Sequence, residues 1–143
     1  MPFTKLLYHI NFSTKKRRRW LKGEVGEFCW KQLAAQAREA DGVPIAVGGY
    51  RDHGHMLVGL PPKIALSKFI MKVKRNTTRV IRREFGQYSD FSWQKGYGAF
   101  TVSPSGVDSV ADYVRNQEEH HRRGTIIEEL ERFWEEGEHL ADS

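Results

Sequence analysis

The sequence holds one cysteine, Cys29, so no disulfide can form within the chain. A lone thiol in a helical pattern beside Phe28 and Trp30 reads as a buried structural residue and fits a reducing cytoplasm. No run approaches the roughly 18 apolar residues of a membrane span, so no membrane role is expected. The opening "MPFTKLLYHINFSTKK" lacks the pattern of a cleaved signal peptide. No G-x-x-x-x-G-K-[ST] loop occurs, so no nucleotide cofactor is expected. Internal repeats and low-complexity linkers are also lacking. What remains is 143 residues, 39 % hydrophobic and 29 % charged, which fits one domain with one core.

Charge is abundant and unevenly placed. Residues 1–124 carry 22 Lys and Arg against 11 Asp and Glu, whereas residues 125–143 carry one against seven. The body is strongly basic and the tail acidic. A basic body suggests a polyanion partner, nucleic acid being the usual one. Two cationic features stand out. The loop "KKRRRW" supplies Lys15, Lys16, Arg17, Arg18 and Arg19. One helix face supplies Lys68, Lys72, Arg75, Arg79 and Arg82, spaced by three and four. Such a face is usually just solvated. Here two basic features coincide, and both are expected to contact phosphates.

The pattern of apolar residues orders the chain. "KLLYHINFST" alternates, with Leu6, Tyr8, Ile10 and Phe12 on one side and His9, Asn11 and Ser13 on the other, as in a half-buried strand. Glu24 to Ala40 has helical spacing and stops at Asp41-Gly42. "VPIAVGGY" and His53–Leu60 read as strands joined by a hairpin at Tyr50-Arg51-Asp52. Ala65 to Phe85 is a long helix with Leu66, Phe69, Ile70, Val73, Val80 and Ile81 inward. "FSWQKGYGAFTVS" is strand-like, broken by Gly96 and Gly98. A helix follows from about Ser105 to Arg123 and ends at Gly124. Thr125-Ile-Ile-Glu128 has the form of a capping box. It predicts a last, acidic helix over about 125–139 with Ile127, Leu130, Phe133 and Trp134 inward.

The first six elements match a ferredoxin-like βαββαβ unit, an α+β fold with helices on one face of an antiparallel sheet. On the third strand Met56, Val58 and Leu60 would face those helices. His53, His55 and Leu57 would face the other side. Something later in the chain must cover that side, and the helix from Ser105 to Arg123 is the natural candidate.

Two imidazoles on one strand face pack poorly together and ligate metals well. Taken alone, they also read as polar residues at a strand entrance, bonded to backbone. Tyr113 and Gln117 lie four apart on one face of the covering helix. Over the open sheet face they would approach the His pair. Two imidazoles and an amide oxygen make three metal ligands with open positions for a substrate oxygen. A phenol beside such an ion is a candidate nucleophile. The plainer readings are a half-buried helix tyrosine and a surface glutamine. His120 and His121 read as solvent-facing or dimer-contact residues. His9, on the polar face of the first strand, is placed to border the site but is not assigned a role in it. Trp20, Trp93 and Tyr97 suit base stacking, with core packing the alternative for the last two.

His53-Gly54-His55 before an apolar run resembles an HUH motif. "YVRNQEEHHRR" is similar to the tyrosine helix of the single-tyrosine HUH transposases. "WQKGYGAFTVS" resembles the strand before that helix, and "YHINFSTKKRR" the first strand. The resemblance spans nearly the whole chain in the right order, and implies one HUH domain over 1–143. The family, called TnpA, moves bacterial insertion sequences as single-stranded DNA. By this resemblance His53, His55 and Gln117 would hold one Mg²⁺ or Mn²⁺. Tyr113 would attack the scissile phosphate and form a 5′-phosphotyrosine link, which a second 3′-hydroxyl resolves. The partner would be single-stranded DNA with hairpin ends. The assembly would be a homodimer with shared active sites, in a bacterial or archaeal cytoplasm and at the nucleoid when acting. The sequence departs from the family at Gly54, where a bulky apolar residue is usual. Rival readings are a non-catalytic hairpin-binding protein, a replication initiator or relaxase-type nickase, and a metal-dependent hydrolase that needs no Tyr113.

Overall fold

A computed structural model describes residues 3–131 of the chain. The sheet has four strands: β1 (Leu7–Ser13), β2 (Val43–Tyr50), β3 (His53–Gly59) and β4 (Gly98–Thr101). Their order is β2-β3-β1-β4, with every pair antiparallel. Helix α1 (Gly23–Glu39) links β1 to β2, and α2 (Leu66–Glu84) links β3 to β4. This is the expected βαββαβ order and the expected fold class.

One sheet face buries the main core. α1 contributes Val25, Cys29, Leu33 and Ala37, four residues apart, and α2 contributes Phe69, Ile70, Val73 and Ile81. They pack on Ile10, Phe12, Met56 and Val58. Burying each large apolar side chain contributes about 1.5–3 kcal/mol, so this face dominates the stability of the fold. Cys29 is fully buried, and burial pushes its thiol well above the ordinary range.

The other face is covered as well. α3 (Val107–Arg115) sets Ala111 and Val114 on Ala46 and Leu57. Close approach depends on Gly48, where a Cβ would stand 2.3 Å from the Val114 carbonyl oxygen. β1 is also buried on both faces, not half-buried, and the 3-10 turn Glu128–Glu131 meets it. His9, Asn11 and Ser13, the polar side of the alternation, are all buried.

Three expectations for the second half are corrected. The helix from Ser105 to Arg123 is two helices, α3 and α4 (Gln117–Arg123). Asn116 breaks them at φ −107°, ψ 33°, and its side-chain Nδ2 donates to the Asp112 carbonyl at 2.7 Å. A short amide that competes for backbone groups disfavours a helix interior. In the strand-like stretch only Gly98–Thr101 joins the sheet, with Trp93 in an isolated bridge to Thr14. Finally, Thr125 caps nothing, because its hydroxyl pairs with His120 Nδ1 at 2.9 Å. Gly124 ends α4 at φ 70°, 125–127 carry no helix, and a 3-10 turn spans Glu128–Glu131. Ile127 is exposed rather than inward. Phe133, Trp134 and the side chain of Leu130 lie outside the described residues.

Candidate active site

The β2–β3 hairpin sets the histidines. Tyr50 pairs with His53 across a turn of Arg51 and Asp52. His53 and His55 then share the face that α3 covers, and both are fully buried. The side chain missing at Gly54 points the other way. A Cβ there would meet Trp30 at 3.3 Å and Leu33 at 3.4 Å. The indole of α1 thus fills space that a bulky residue would need, while both histidines keep their face.

Tyr113 and Gln117, both buried, reach this face from the same chain. Gln117 Oε1 lies 3.3 Å from His53 Nε2. The Tyr113 ring stands edge-on to His55, centroids 6.0 Å apart. The predicted quartet is therefore brought together.

Further residues complete the site. Glu131 places carboxylate oxygens 3.0 Å from His53 Nε2 and 3.2 Å from His55 Nε2, and it accepts a hydrogen bond from the Tyr113 hydroxyl. The Ile127 N–H donates to that hydroxyl at 2.9 Å. Asp52 accepts from His53 Nδ1 at 2.7 Å and from Arg17 Nε at 3.1 Å. His9 Nε2 and His55 Nδ1 share a hydrogen bond of 2.8 Å. His121 Nε2 lies 3.2 Å from Gln117 Oε1, and its ring stacks on Tyr50 at 4.3 Å. The expectation that His121 faces solvent or a dimer partner is thus corrected.

Signals for these residues were uneven. His121 lies four residues beyond Gln117 and eight beyond Tyr113, on the same helical face. Asp52 is a carboxylate next to a candidate ligand. Glu131 gave no signal, because its place depends on the turn-back at Gly124.

The electrostatics follow from burial and these pairings. Burial opposes a charge on His53, but its bonds to Asp52 and Glu131 outweigh that and raise it above the ordinary histidine value. Burial lowers His55 to about 4 and His9 to about 3. For Asp52 burial is outweighed by His53 and Arg17, which hold it at about 2. Glu131 is likewise held well below the carboxylate range, its bonds from His53 and His55 overcoming burial. Burial and the Glu131 bond push Tyr113 up to about 12.

The donor set suits a divalent ion. One ligand atom each from His53, His55 and Glu131 lie within 4.8 Å of one another. Ligands at about 2.0–2.1 Å in octahedral cis positions stand about 3 Å apart, which matches the separations above. The Asp52 and His9 contacts also resemble the outer hydrogen bonds that orient metal-bound histidines.

The basic residues fall into two groups. Lys15, Lys16, Arg17, Arg18 and Arg19 are exposed around a 3-10 turn beside β1. Arg17 is tied to Asp52, and Arg18 contacts Asp90 at 3.3 Å. Lys68, Lys72, Arg75, Arg79 and Arg82 are exposed on α2, on the side of the sheet away from the histidines.

Comparison with known proteins gives the family. A family model described as "Transposase IS200 like" matches residues 2–117. The transposases for insertion sequence element IS200 of Salmonella typhimurium (strain LT2) and Salmonella typhi are each 30% identical over 132 residues, covering 82% of this chain and 80% of theirs. A putative transposase of Deinococcus radiodurans R1 superposes with a TM-score of 0.66 at 25% identity, covering 81% of this chain and 93% of that one. A REP-associated tyrosine transposase bound to a REP hairpin shares the fold, with a TM-score of 0.61 at 14% identity over 88% of this chain and 73% of that one. Fold and site define the class of single-tyrosine HUH proteins. The chain belongs to the IS200-like transposase family within it.

Proposed function

We propose that this chain, one domain over 1–143, cuts and rejoins single-stranded DNA at the ends of an insertion sequence. The observation that carries the reading is the convergence of Tyr113 and Gln117 on the buried His53–His55 pair. His53, His55 and Gln117, joined by Glu131, would hold Mg²⁺ or Mn²⁺. When bound, the ion supplies Lewis-acid polarisation of the scissile phosphate and charge stabilisation at the leaving 3′-oxygen.

The chain's own residues do the rest. Asp52 holds His53 by Nδ1, and His9 holds His55 by Nδ1, so that each Nε2 faces the site. The Tyr113 oxygen attacks phosphorus and the P–O3′ bond breaks. The phenolic proton passes to a nearby acceptor, the leaving 3′-oxygen takes up a proton from water to become a free 3′-hydroxyl, and Tyr113 carries the 5′-phosphate. A second 3′-hydroxyl reverses the step on another end. The bond energy is conserved in the phosphotyrosine, so no nucleotide is consumed.

The DNA is expected to be single-stranded with hairpin ends, held by the basic face of α2 and the loop at 15–19. The working assembly is a homodimer with shared sites. The docking of α3 on its own sheet is compatible with sharing, because exchange of an identical element between protomers keeps each contact.

The test incubates protein and Mn²⁺ with single-stranded DNA tiled across the gene's flanks. A denaturation-resistant protein–DNA adduct is expected, lost on chelation and in Tyr113→Phe. Hairpin binding without an adduct would favour a non-catalytic binder instead.

A further inference from the structure

β1 carries His9 one diagonal step from His55 on β3, since His9 pairs with Leu57 and Asn11 with His55. Both rings are fully buried. A 2.8 Å contact joins His9 Nε2 to His55 Nδ1, and the ring planes differ by 15° with centroids 5.0 Å apart. The rings therefore meet end to end, and the shared proton lies near the plane of both. On the other side of β1, His9 faces Phe100 of β4, and its Nδ1 has no hydrogen-bond partner among the described residues.

A neutral imidazole carries one proton, on one nitrogen or the other. Two such rings joined by one hydrogen bond have two arrangements. In the first, His9 Nε2 donates to His55 Nδ1, and His55 Nε2 donates to Glu131. In the second, His55 Nδ1 donates to His9 Nε2, which leaves His55 Nε2 bare and puts a proton on His9 Nδ1. The contacts favour the first. His55 Nε2 stands 3.2 Å from a Glu131 oxygen, and a carboxylate only accepts. A bare nitrogen there would set two lone pairs against each other. The second arrangement also buries an N–H of His9 without an acceptor, which is costly.

Ligation requires the second. An imidazole that ligates through Nε2 carries its proton on Nδ1 and needs an acceptor there. For His55 the atom in that place is His9 Nε2. His53 differs, because Asp52 accepts from its Nδ1 at 2.7 Å whichever group meets Nε2. The partner of His53 is a fixed acceptor. The partner of His55 accepts in one of its two forms.

We propose that His9 is a positioning residue of the metal site, its proton moving from Nε2 to Nδ1 as His55 changes from a donor to Glu131 into a ligand. The inference rests on the reading that His53 and His55 hold an ion. His55 Nε2 gives its proton to water, His9 Nε2 hands its proton to His55 Nδ1, and His9 Nδ1 takes one from water. Each ring ends neutral with one proton, as it began. Burial disfavours a charge on either ring, and the exchange makes His55 a ligand without creating one.

The test labels the histidine nitrogens of the full chain and reads by NMR which of them carries each proton. Mg²⁺ is the probe, being diamagnetic. His9 is expected to carry its proton on Nε2 without Mg²⁺ and on Nδ1 at saturating Mg²⁺, with the His55 proton moving from Nε2 to Nδ1. Calorimetry with Mn²⁺ gives a second readout. His9→Gln offers an amide oxygen as acceptor and is expected to stay within about threefold of the wild-type affinity, whereas His9→Leu offers none and is expected to lose about tenfold or more. A His9 proton on the same nitrogen in both conditions would overturn the proposal and leave the proposed function standing. So would wild-type affinity in His9→Leu, or equal losses in the two variants. A wild-type chain that binds no Mn²⁺ and forms no adduct on the flanking DNA would overturn both.

Discussion

The Tyr113 hydroxyl donates to the Glu131 carboxylate, which itself bridges His53 and His55. The proposed nucleophile and the proposed ligand set thus share one carboxylate. Burial of the phenol and its acceptor-only partner both favour the neutral form, and together they push Tyr113 up to about 12. In this arrangement the phenol is held protonated. Redirecting the carboxylate towards a cation would remove that restraint.

Tyr113→Phe is expected to abolish the covalent adduct and to cost only about 1 kcal/mol of stability for the lost hydrogen bond. The pH dependence has a definite sign. A group raised in the folded state stabilises below its unfolded pKa and loses that contribution as pH climbs through the folded value. The stability gap between wild type and Tyr113→Phe should therefore be flat below the ordinary tyrosine value and shrink as pH rises towards about 12. Urea melts across that range check it.

Replacing His53 or His55 with Ala is expected to abolish metal-dependent cleavage. Glu131→Gln keeps the shape and removes the charge. It should weaken Mn²⁺ binding by about tenfold or more, read by calorimetry without DNA. Tighter binding in that variant would make Glu131 a competitor of the ion rather than a ligand.

Asp52→Asn removes one of the two carboxylates that His53 meets, the one at Nδ1. Outer hydrogen bonds to ligating histidines typically carry about 10–100-fold in metal affinity, and a loss of that size is expected. Asp52 is depressed to about 2. Its stabilising contribution is present above the unfolded carboxylate value and lost as pH falls towards about 2. The gap between wild type and Asp52→Asn should close on acidification over that interval.

Gly54→Val restores the bulk usual in the family but drives a side chain towards Trp30 and Leu33. Overpacking of this kind costs about 1–3 kcal/mol. Adding Trp30→Ala should recover part of it, giving a favourable coupling in a double-mutant cycle of denaturant melts. Additive losses would mean that the indole does not occupy that space.

A His53→Ala protein mixed with a Tyr113→Phe protein is expected to regain cleavage, since sharing sites between subunits lets one composite site keep both groups. Absence of recovery in proven heterodimers would place each site within one chain.

Much of the fold was legible because the patterns were local. Alternation in β1, the helical stripe of α2 and the Tyr50–His53 hairpin all follow from residues close in sequence. The break at Asn116 was less visible, because a single short polar side chain outcompeted a good helical period. The end of the chain misled for the same reason. Thr125 and Glu128 have the spacing of a cap, yet His120 takes the Thr125 hydroxyl.

The sequence by itself determined a basic body, a same-face His pair and a spacing of four between Tyr113 and Gln117. Those depend on side-chain charge and on the periods of strand and helix. Only the tertiary structure decided that Asp52, His9, His121 and Glu131 meet that pair. It also decided that Trp30 stands where Gly54 has no side chain. Those contacts depend on where two separate chain segments cross, through the glycine at 48 and the turn at Gly124, and no local period encodes a crossing.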